Sequence, residues 1–252
     1  MKRLILIQND YSGAGKTTLS RCLEHYLQSY QVPHHSVSLV ENADDLGHTI
    51  AAAELRLPAL ISHLDRSELV ILDLETELGE MFNSFFKKHE LDHVLHDLGF
   101  DLTVLVPITE DRESFEGVTA AAETFSDCAQ YLVVHTPTSS FYDEYEKGWD
   151  RSYAARVMDM LDAADLDMPA THEALELRLT IAHAHLANCI ADASIGGELQ
   201  EEVSKWFRKV AAQLDTVRKY AFGDAFRPAI LPEGAVRPRR RRTKTDRVAV
   251  AA

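Results

Sequence analysis

Apolar and polar positions follow two rhythms along the first two-thirds of the chain. Short aliphatic or β-branched runs at residues 3–8, 36–40, 69–72, 102–107 and 131–135 read as strands. Between them, apolar residues three and four apart predict helices at 17–30, 49–55, 59–65, 78–98, 112–125 and 149–164. Leu69-Val70-Ile71-Leu72 and Leu102-Thr103-Val104-Leu105-Val106 are apolar at almost every position, as expected for parallel strands covered on both faces. Gly99, after Leu98, marks a helix stop. The expected class is α/β, a parallel sheet sandwiched by helices. After about Asp165 no further strand is expected: residues 170–193 and 198–222 predict two long helices separated by Gly196-Gly197, packed as an antiparallel pair beside the sheet. From Pro232 onward Pro, Gly and Arg dominate, which predicts disorder. The chain divides into an α/β core at 1–165, a helical C-terminal part at 166–231 packed on it, and a disordered basic tail at 232–252, with no internal repeat.

Candidate chemistry begins where the first strand ends. Asp10-Tyr11-Ser12-Gly13-Ala14-Gly15-Lys16-Thr17-Thr18 lies directly after Leu4-Ile5-Leu6-Ile7 and directly before a helical run. Strand, glycine loop, Lys-Thr and helix are the context of a phosphate-binding P-loop. Ser12, Gly13, Ala14 and Gly15 would turn backbone N–H groups toward phosphate oxygens, aided by the following helix N-terminus. Lys16 would reach the β- and γ-phosphates, Thr17 would complete a Mg²⁺ shell, and Thr18 would close the binding loop. Asp10 stands where GxxxxGK[ST] has its first glycine. The competing reading is a Gly-rich turn without function, and the strand–loop–helix context weighs against it. The strand 69–72 ends in Asp73, the form of a Walker B carboxylate that holds Mg²⁺, with a solvated strand-end Asp as the competing reading. Asp44 is the preferred water-orienting carboxylate, with Asp45 and Glu41 as rivals; an Asp-rich turn capping the next helix explains the same residues equally well.

Composition narrows the setting. With 252 residues, 46% of them hydrophobic, the chain can bury a substantial core. No apolar stretch approaches the about 20 residues that span a bilayer, and the N-terminus runs straight into a strand, unlike a signal peptide. Cys22, Cys128 and Cys189 form no CxxC pair and are odd in number, which argues for a reducing cytoplasm. A net charge of −14 disfavours whole-surface attraction to DNA or anionic lipid. Against that average stands Arg237-Pro238-Arg239-Arg240-Arg241-Arg242-Thr243-Lys244. Arg239, Arg240, Arg241 and Arg242 could engage DNA phosphates non-specifically; a solubilising tail or a partner-docking peptide is the alternative.

Three segments carry a resemblance to a known family. Tyr11 to Thr18, Val70-Ile71-Leu72-Asp73, and Leu105-Val106-Pro107-Ile108-Thr109-Glu110-Asp111-Arg112-Glu113-Ser114 resemble the ParA/MinD/CobQ superfamily of P-loop ATPases, over residues 2 to about 137. The third segment is similar to the family's strand-Pro-hydrophobic-Thr motif, followed by a helix carrying Ser114 and Gly117. Tyr131 to Thr136 matches the strand whose end contacts the base, with His135 and Thr136 where the family more often has Asn. The resemblance implies a Mg²⁺-ATP-dependent switch that forms a nucleotide-dependent homodimer, works with a cognate adaptor protein, and binds nucleoid DNA through basic C-terminal residues.

The chain departs from that family at two points. A second loop lysine that reaches across the dimer is replaced by Tyr11, which brings no cation to a transferring phosphate. Another Arg or Lys substitutes, or hydrolysis is slow, or the protein is a binding switch. This departure fits plasmid-type relatives better than housekeeping division proteins. After Asp73 the family's Pro or Gly is missing, and Gly79 is the expected hinge.

The leading expectation is a cytoplasmic, nucleoid-associated ATPase acting in segregation, partition or transfer of plasmid or mobile-element DNA. The alternatives are a non-hydrolysing nucleotide-dependent adaptor and a small-molecule ATP-dependent ligase resembling dethiobiotin synthetase. ATP is preferred over GTP because no Asn-Lys-x-Asp segment is present. His89, His93 and His96, at helical spacing, read as a solvated helix face rather than a metal site, since no closed ligand set accompanies them. His183 and His185, two apart, point to different helix faces and get the same reading.

Overall fold

The structure is a computed structural model and describes residues 1–42, 48–136, 148–190 and 197–230. Seven strands form one sheet in which every pairing is parallel. They are β1 (Lys2–Ile7), β2 (His35–Val40), β3 (Thr49–Ala51), β4 (Leu69–Leu74), β5 (Phe100–Ile108), β6 (Ala129–His135) and β7 (Ala164–Asp167), in the order β3-β2-β4-β1-β5-β6-β7. The helices are α1 (Lys16–Ser29), α2 (Leu57–Leu64), α3 (Gly79–Lys88), α4 (Leu91–Asp97), α5 (Ser114–Phe125), α6 (Tyr153–Met160), α7 (Glu173–Ile181), α8 (Leu186–Cys189) and α9 (Glu198–Phe222). This is an α/β fold compatible with a P-loop nucleoside triphosphatase.

Strands β1, β4, β5 and β6 are apolar over successive positions because both faces are covered. On β1, Leu4 and Leu6 join a core built with α2 to α6, while Ile5 and Ile7 join a second core built with α1 and α7 to α9. The same alternation holds on β4, where Val70 and Leu72 face one core and Leu69 and Ile71 the other. Helices on both faces follow from that pattern, since a single-sided sheet would leave half of these side chains in water. The C-terminal helices supply part of the second layer. Tyr26 of α1 and Tyr30, which follows its last residue, both donate to Asp215 Oδ1 of α9 at 2.6 Å, and Trp206 Nε1 donates to the carbonyl of Pro169 at 2.8 Å.

Several elements differ from expectation. Residues 49–51 form an edge strand rather than a helix: Thr49 and Ile50, β-branched, pair with Ser38 and Leu39, and only Ala52–Glu54 make a 3₁₀ turn. The helix expected at 78–98 is two helices. Phe86 and Leu91 are five apart and would diverge by about 140° on a continuous helix; Glu90, at φ +49°, breaks the chain so that Leu91 and Leu95 return to the core. The expected 149–164 helix is shorter, starting behind the Ser152 cap that accepts from Ala155 N at 2.9 Å. A seventh strand follows at Ala164–Asp167, where none was expected beyond about 165, so the boundary drawn at 165/166 falls inside it. The long helix expected at 170–193 is α7 and α8, separated at His183, φ +49°. No helix among the described residues is long and apolar enough to cross a membrane.

Candidate active site at the carboxyl edge of the sheet

β4, β1, β5 and β6 are adjacent, so the segments after Leu74, Ile7, Ile108 and His135 gather along one edge, the usual location of ligands in parallel α/β sheets. The segment after β1 is the Gly-rich loop. Gly13 (φ +82°) and Gly15 (φ +89°) take left-handed conformations that side chains resist, and Gly15 caps α1. A Cβ on Gly15 would come within 3.3 Å of the Thr136 methyl group, so strand β6 also constrains the loop. Ser12, Gly13 and Thr17 are exposed, Thr18 is half-buried, and Ala14 is buried. The Thr136 hydroxyl donates to the carbonyls of Ala14 (2.9 Å) and Ile108 (2.8 Å), fastening the loop to β5 and β6.

Lys16 is 7% exposed. Its ammonium donates to the Asn9 carbonyl at 2.5 Å and to the Thr76 hydroxyl at 3.0 Å. Burial pulls its pKa below the usual lysine range, opposed by the carboxylates of Asp73 and Asp10. At the end of β4, burial pushes the Asp73 carboxyl up to about 6, opposed by the Ser20 hydroxyl and the Lys16 charge. Asp73 Oδ1 is buried and has no hydrogen-bond partner. A buried carboxylate oxygen without a donor fits a hard cation such as Mg²⁺, which favours oxygen ligands, and the exposed Thr17 at the start of α1 offers a hydroxyl.

Asn9 and Asp10 complete the loop's attachments, and neither role was read from the sequence. Asn9 Nδ2 donates to the carbonyls of Pro107 and Ser114, both at 2.8 Å, and its Oδ1 accepts from Tyr11 N at 2.9 Å. A Cβ on Gly117 would meet Asn9 Oδ1 at 2.5 Å, so glycine on α5 makes room for this bridge. Asp10 Oδ1 accepts from the amide of Gly79 at 2.9 Å. The only sequence cue to Asn9 and Asp10 was a pair of Asx residues directly after a buried strand; Thr76, three after Asp73, had none.

Tyr11 reaches the segment after β5, where its hydroxyl donates to Asp111 Oδ2 at 2.7 Å. That bond to a carboxylate raises the Tyr11 pKa, so the phenol stays neutral and brings no positive charge. Ser114, at the start of α5, accepts from Thr109 N (3.1 Å) and donates to the Asp111 carbonyl (2.6 Å), folding the 109–113 segment onto the helix. His135 lies edge-on to Trp149 and 3.0 Å from Asp165 Oδ1, a structural setting rather than one open to a base.

Gly79 opens α3 beside Asp10, and is needed small there. Glu41 is exposed, and its amide donates to Glu75 Oε2 at 2.7 Å. Asp44, Asp45, Arg239, Arg240, Arg241 and Arg242 lie outside the described residues. His93 and His96 are exposed, whereas His89 packs its ring on Phe85 at 4.6 Å. Among the described residues no cluster of three His, Cys, Asp or Glu side chains could hold a metal. No protein-family model matches the chain, and neither does any curated protein sequence.

Proposed function

We propose that the chain is a Mg²⁺-dependent nucleoside-triphosphate switch of the ParA/MinD type, with ATP as the nucleotide. One observation carries the reading: a Gly-rich loop between the central strand and α1 holds a buried lysine near an under-bonded carboxylate at the end of the neighbouring strand. A cationic, donor-rich loop at that edge suits a triphosphate.

In this reading the amides of residues 12–18 and the Lys16 ammonium bind phosphate oxygens, with Lys16 leaving Thr76 to do so. Thr17 and Asp73 would hold Mg²⁺, which when bound neutralises phosphate charge. Asn9 and Thr136 keep the loop in register with β5 and β6, so that its amides need not be ordered anew on binding. Asp44 is the proposed water-orienting carboxylate. The family resemblance, together with Arg239 to Arg242, supports the assignment to segregation or transfer of plasmid DNA, with a nucleotide-dependent homodimer and an adaptor partner.

A second reading, a nucleotide-binding adaptor that does not hydrolyse, is favoured by Tyr11. The family's charge-supplying lysine is replaced by a phenol engaged with Asp111. ATP turnover at low salt, with and without duplex DNA, separates the two, with Lys16→Ala as the blank. DNA-stimulated turnover that vanishes in Lys16→Ala supports the switch. ATP binding without turnover in either condition leaves the adaptor, and absence of binding rejects both.

A further inference from the structure

The segment joining β4 to α3 is held at two points by the nucleotide loop. Residues 75–78 make a tight turn, with Leu78 N donating to the Glu75 carbonyl at 3.2 Å and Glu77 at φ +73°. Thr76 in that turn accepts from Lys16, and Gly79 at its end donates to Asp10. The second contact is built closely. A Cβ on Gly79 would lie 2.6 and 2.7 Å from the two Asp10 carboxylate oxygens, so a larger residue would push the carboxylate away. Gly79 is also the first residue of α3, where free amides and the helix dipole favour a carboxylate.

These contacts respond differently to an anion in the loop. Lys16 is the shared cation: it bonds Thr76 and feels the Asp10 charge. A phosphate group that draws Lys16 away releases Thr76. The same phosphate repels the Asp10 carboxylate, which remains bonded to α3. The α3 side chains Phe82, Phe85 and Phe86 are set in the core shared with α4 and α5, so a shift at Gly79 is carried by a rigid element rather than absorbed in a loop.

We propose that Asp10 is a positioning residue that ties the nucleotide loop to the N-terminus of α3, so that loading of the phosphate site is transmitted to residues 75–88. The proposal rests on the nucleotide-binding reading above and adds to it the regulation of that same site. Asp10 does more here than replace a loop glycine. It couples two segments that are 69 residues apart in sequence.

The test is amide hydrogen exchange across residues 74–88 of the full chain, with and without a saturating non-hydrolysable ATP analogue and Mg²⁺. Nucleotide binding is measured separately with a fluorescent ATP analogue. In the unmodified protein, nucleotide changes exchange at residues 76–82. Asp10→Ala binds the analogue but loses that change, and its Gly79 amide exchanges about tenfold faster without nucleotide, the size of one hydrogen bond to a charged acceptor. Asp10→Asn, which keeps an acceptor oxygen but no charge for the phosphate to repel, keeps the Gly79 amide protected and loses most of the response. Gly79→Ala displaces the carboxylate and reproduces Asp10→Ala, and the double variant adds no further loss. An equal response in the unmodified protein and Asp10→Ala, or no response in the unmodified protein with nucleotide bound, overturns the proposal and leaves the nucleotide-binding reading intact. Failure of the unmodified protein to bind the analogue is seen in the separate assay and overturns both.

Discussion

At the amino end of β1, Arg3 is buried and its guanidinium is shared out: Nη1 donates to Thr103 Oγ1 at 3.1 Å and to Gln130 Oε1 at 2.9 Å, and Nη2 pairs with Asp101 at 3.4 Å. Thr103 in turn donates to the Ala221 carbonyl at 3.0 Å, and Gly223 packs against the guanidinium. Only Nε is left without a partner. At the opposite edge of the sheet, Lys16 bonds to the Asn9 carbonyl and to Thr76, and one buried oxygen of Asp73 on the neighbouring strand has no donor. One end closes all of its guanidinium donors but Nε within the chain and, through Thr103, ties α9 to the sheet. The other leaves a carboxylate under-bonded, a state that costs stability without a ligand and is relieved by one. Buried charge at the two ends is thus distinguished by what it bonds: side chains of the folded chain share the Arg3 guanidinium, while one Asp73 oxygen has no donor in the chain.

That contrast can be broken most strongly where bonding is most complete. Asp215→Ala leaves the Tyr26 and Tyr30 hydroxyls without their shared acceptor under a cluster with Phe222 and Phe226, and should cost about 2–4 kcal/mol of stability in urea unfolding. Lys16→Ala should do the reverse: little change in stability, but a loss of ATP-analogue affinity of about 10–100-fold, the size of a charge-assisted hydrogen bond in fluorescence titration.

Asp73→Asn sharpens the comparison through pH. Folding raises the Asp73 pKa from 3.8 to about 6, so the folded protein holds an extra proton between those values, and ionisation penalises the fold. The penalty is absent below 3.8, grows as pH rises, and is fully present above about 6. Nucleotide-free Asp73→Asn should therefore be more stable than the unmodified protein at pH 8, by about 1–3 kcal/mol. The gap should close by pH 4 in thermal melts and reverse when Mg²⁺-ATP is added at pH 8. An Asp73→Asn variant less stable at pH 8 without ligand would show that the carboxylate is satisfied after all. The smallest effect is expected at Tyr11→Phe, which loses an exposed bond to Asp111 and should leave the urea-unfolding midpoint almost unmoved. In turnover assays, Tyr11→Lys should raise ATP hydrolysis if the missing cation limits it.

β1, β4, β5 and β6 were legible because burial on both faces gives them apolar runs, and β2 because Val37, Leu39 and Val40 form a short β-branched and aliphatic stretch. β7 was not: Ala164 and Leu166 are buried while Asp165 and Asp167 face out, four residues whose alternation is too short to stand out before β6 pairs with them. The breaks at Glu90 and His183 were hidden for a related reason. Apolar residues at helical spacing occur on both sides of each break and mask the five-residue step from Phe86 to Leu91, and the re-aiming of Leu91 and Leu95 is set by the core they enter.

Local sequence by itself determined the layered α/β plan and the Gly13–Gly15 loop with Lys16 and Thr17, because short-range periodicity and glycine freedom act over a few residues. It also placed Asp73 at a strand end. The tertiary structure alone decided that Lys16 bonds Thr76, that Asn9 bridges β5 and α5, that Asp10 caps α3, and that Asp73 keeps an unpaired oxygen. Those partners lie up to 105 residues apart, and their meeting follows from the strand order β4-β1-β5, a property of the assembled sheet that no local pattern encodes.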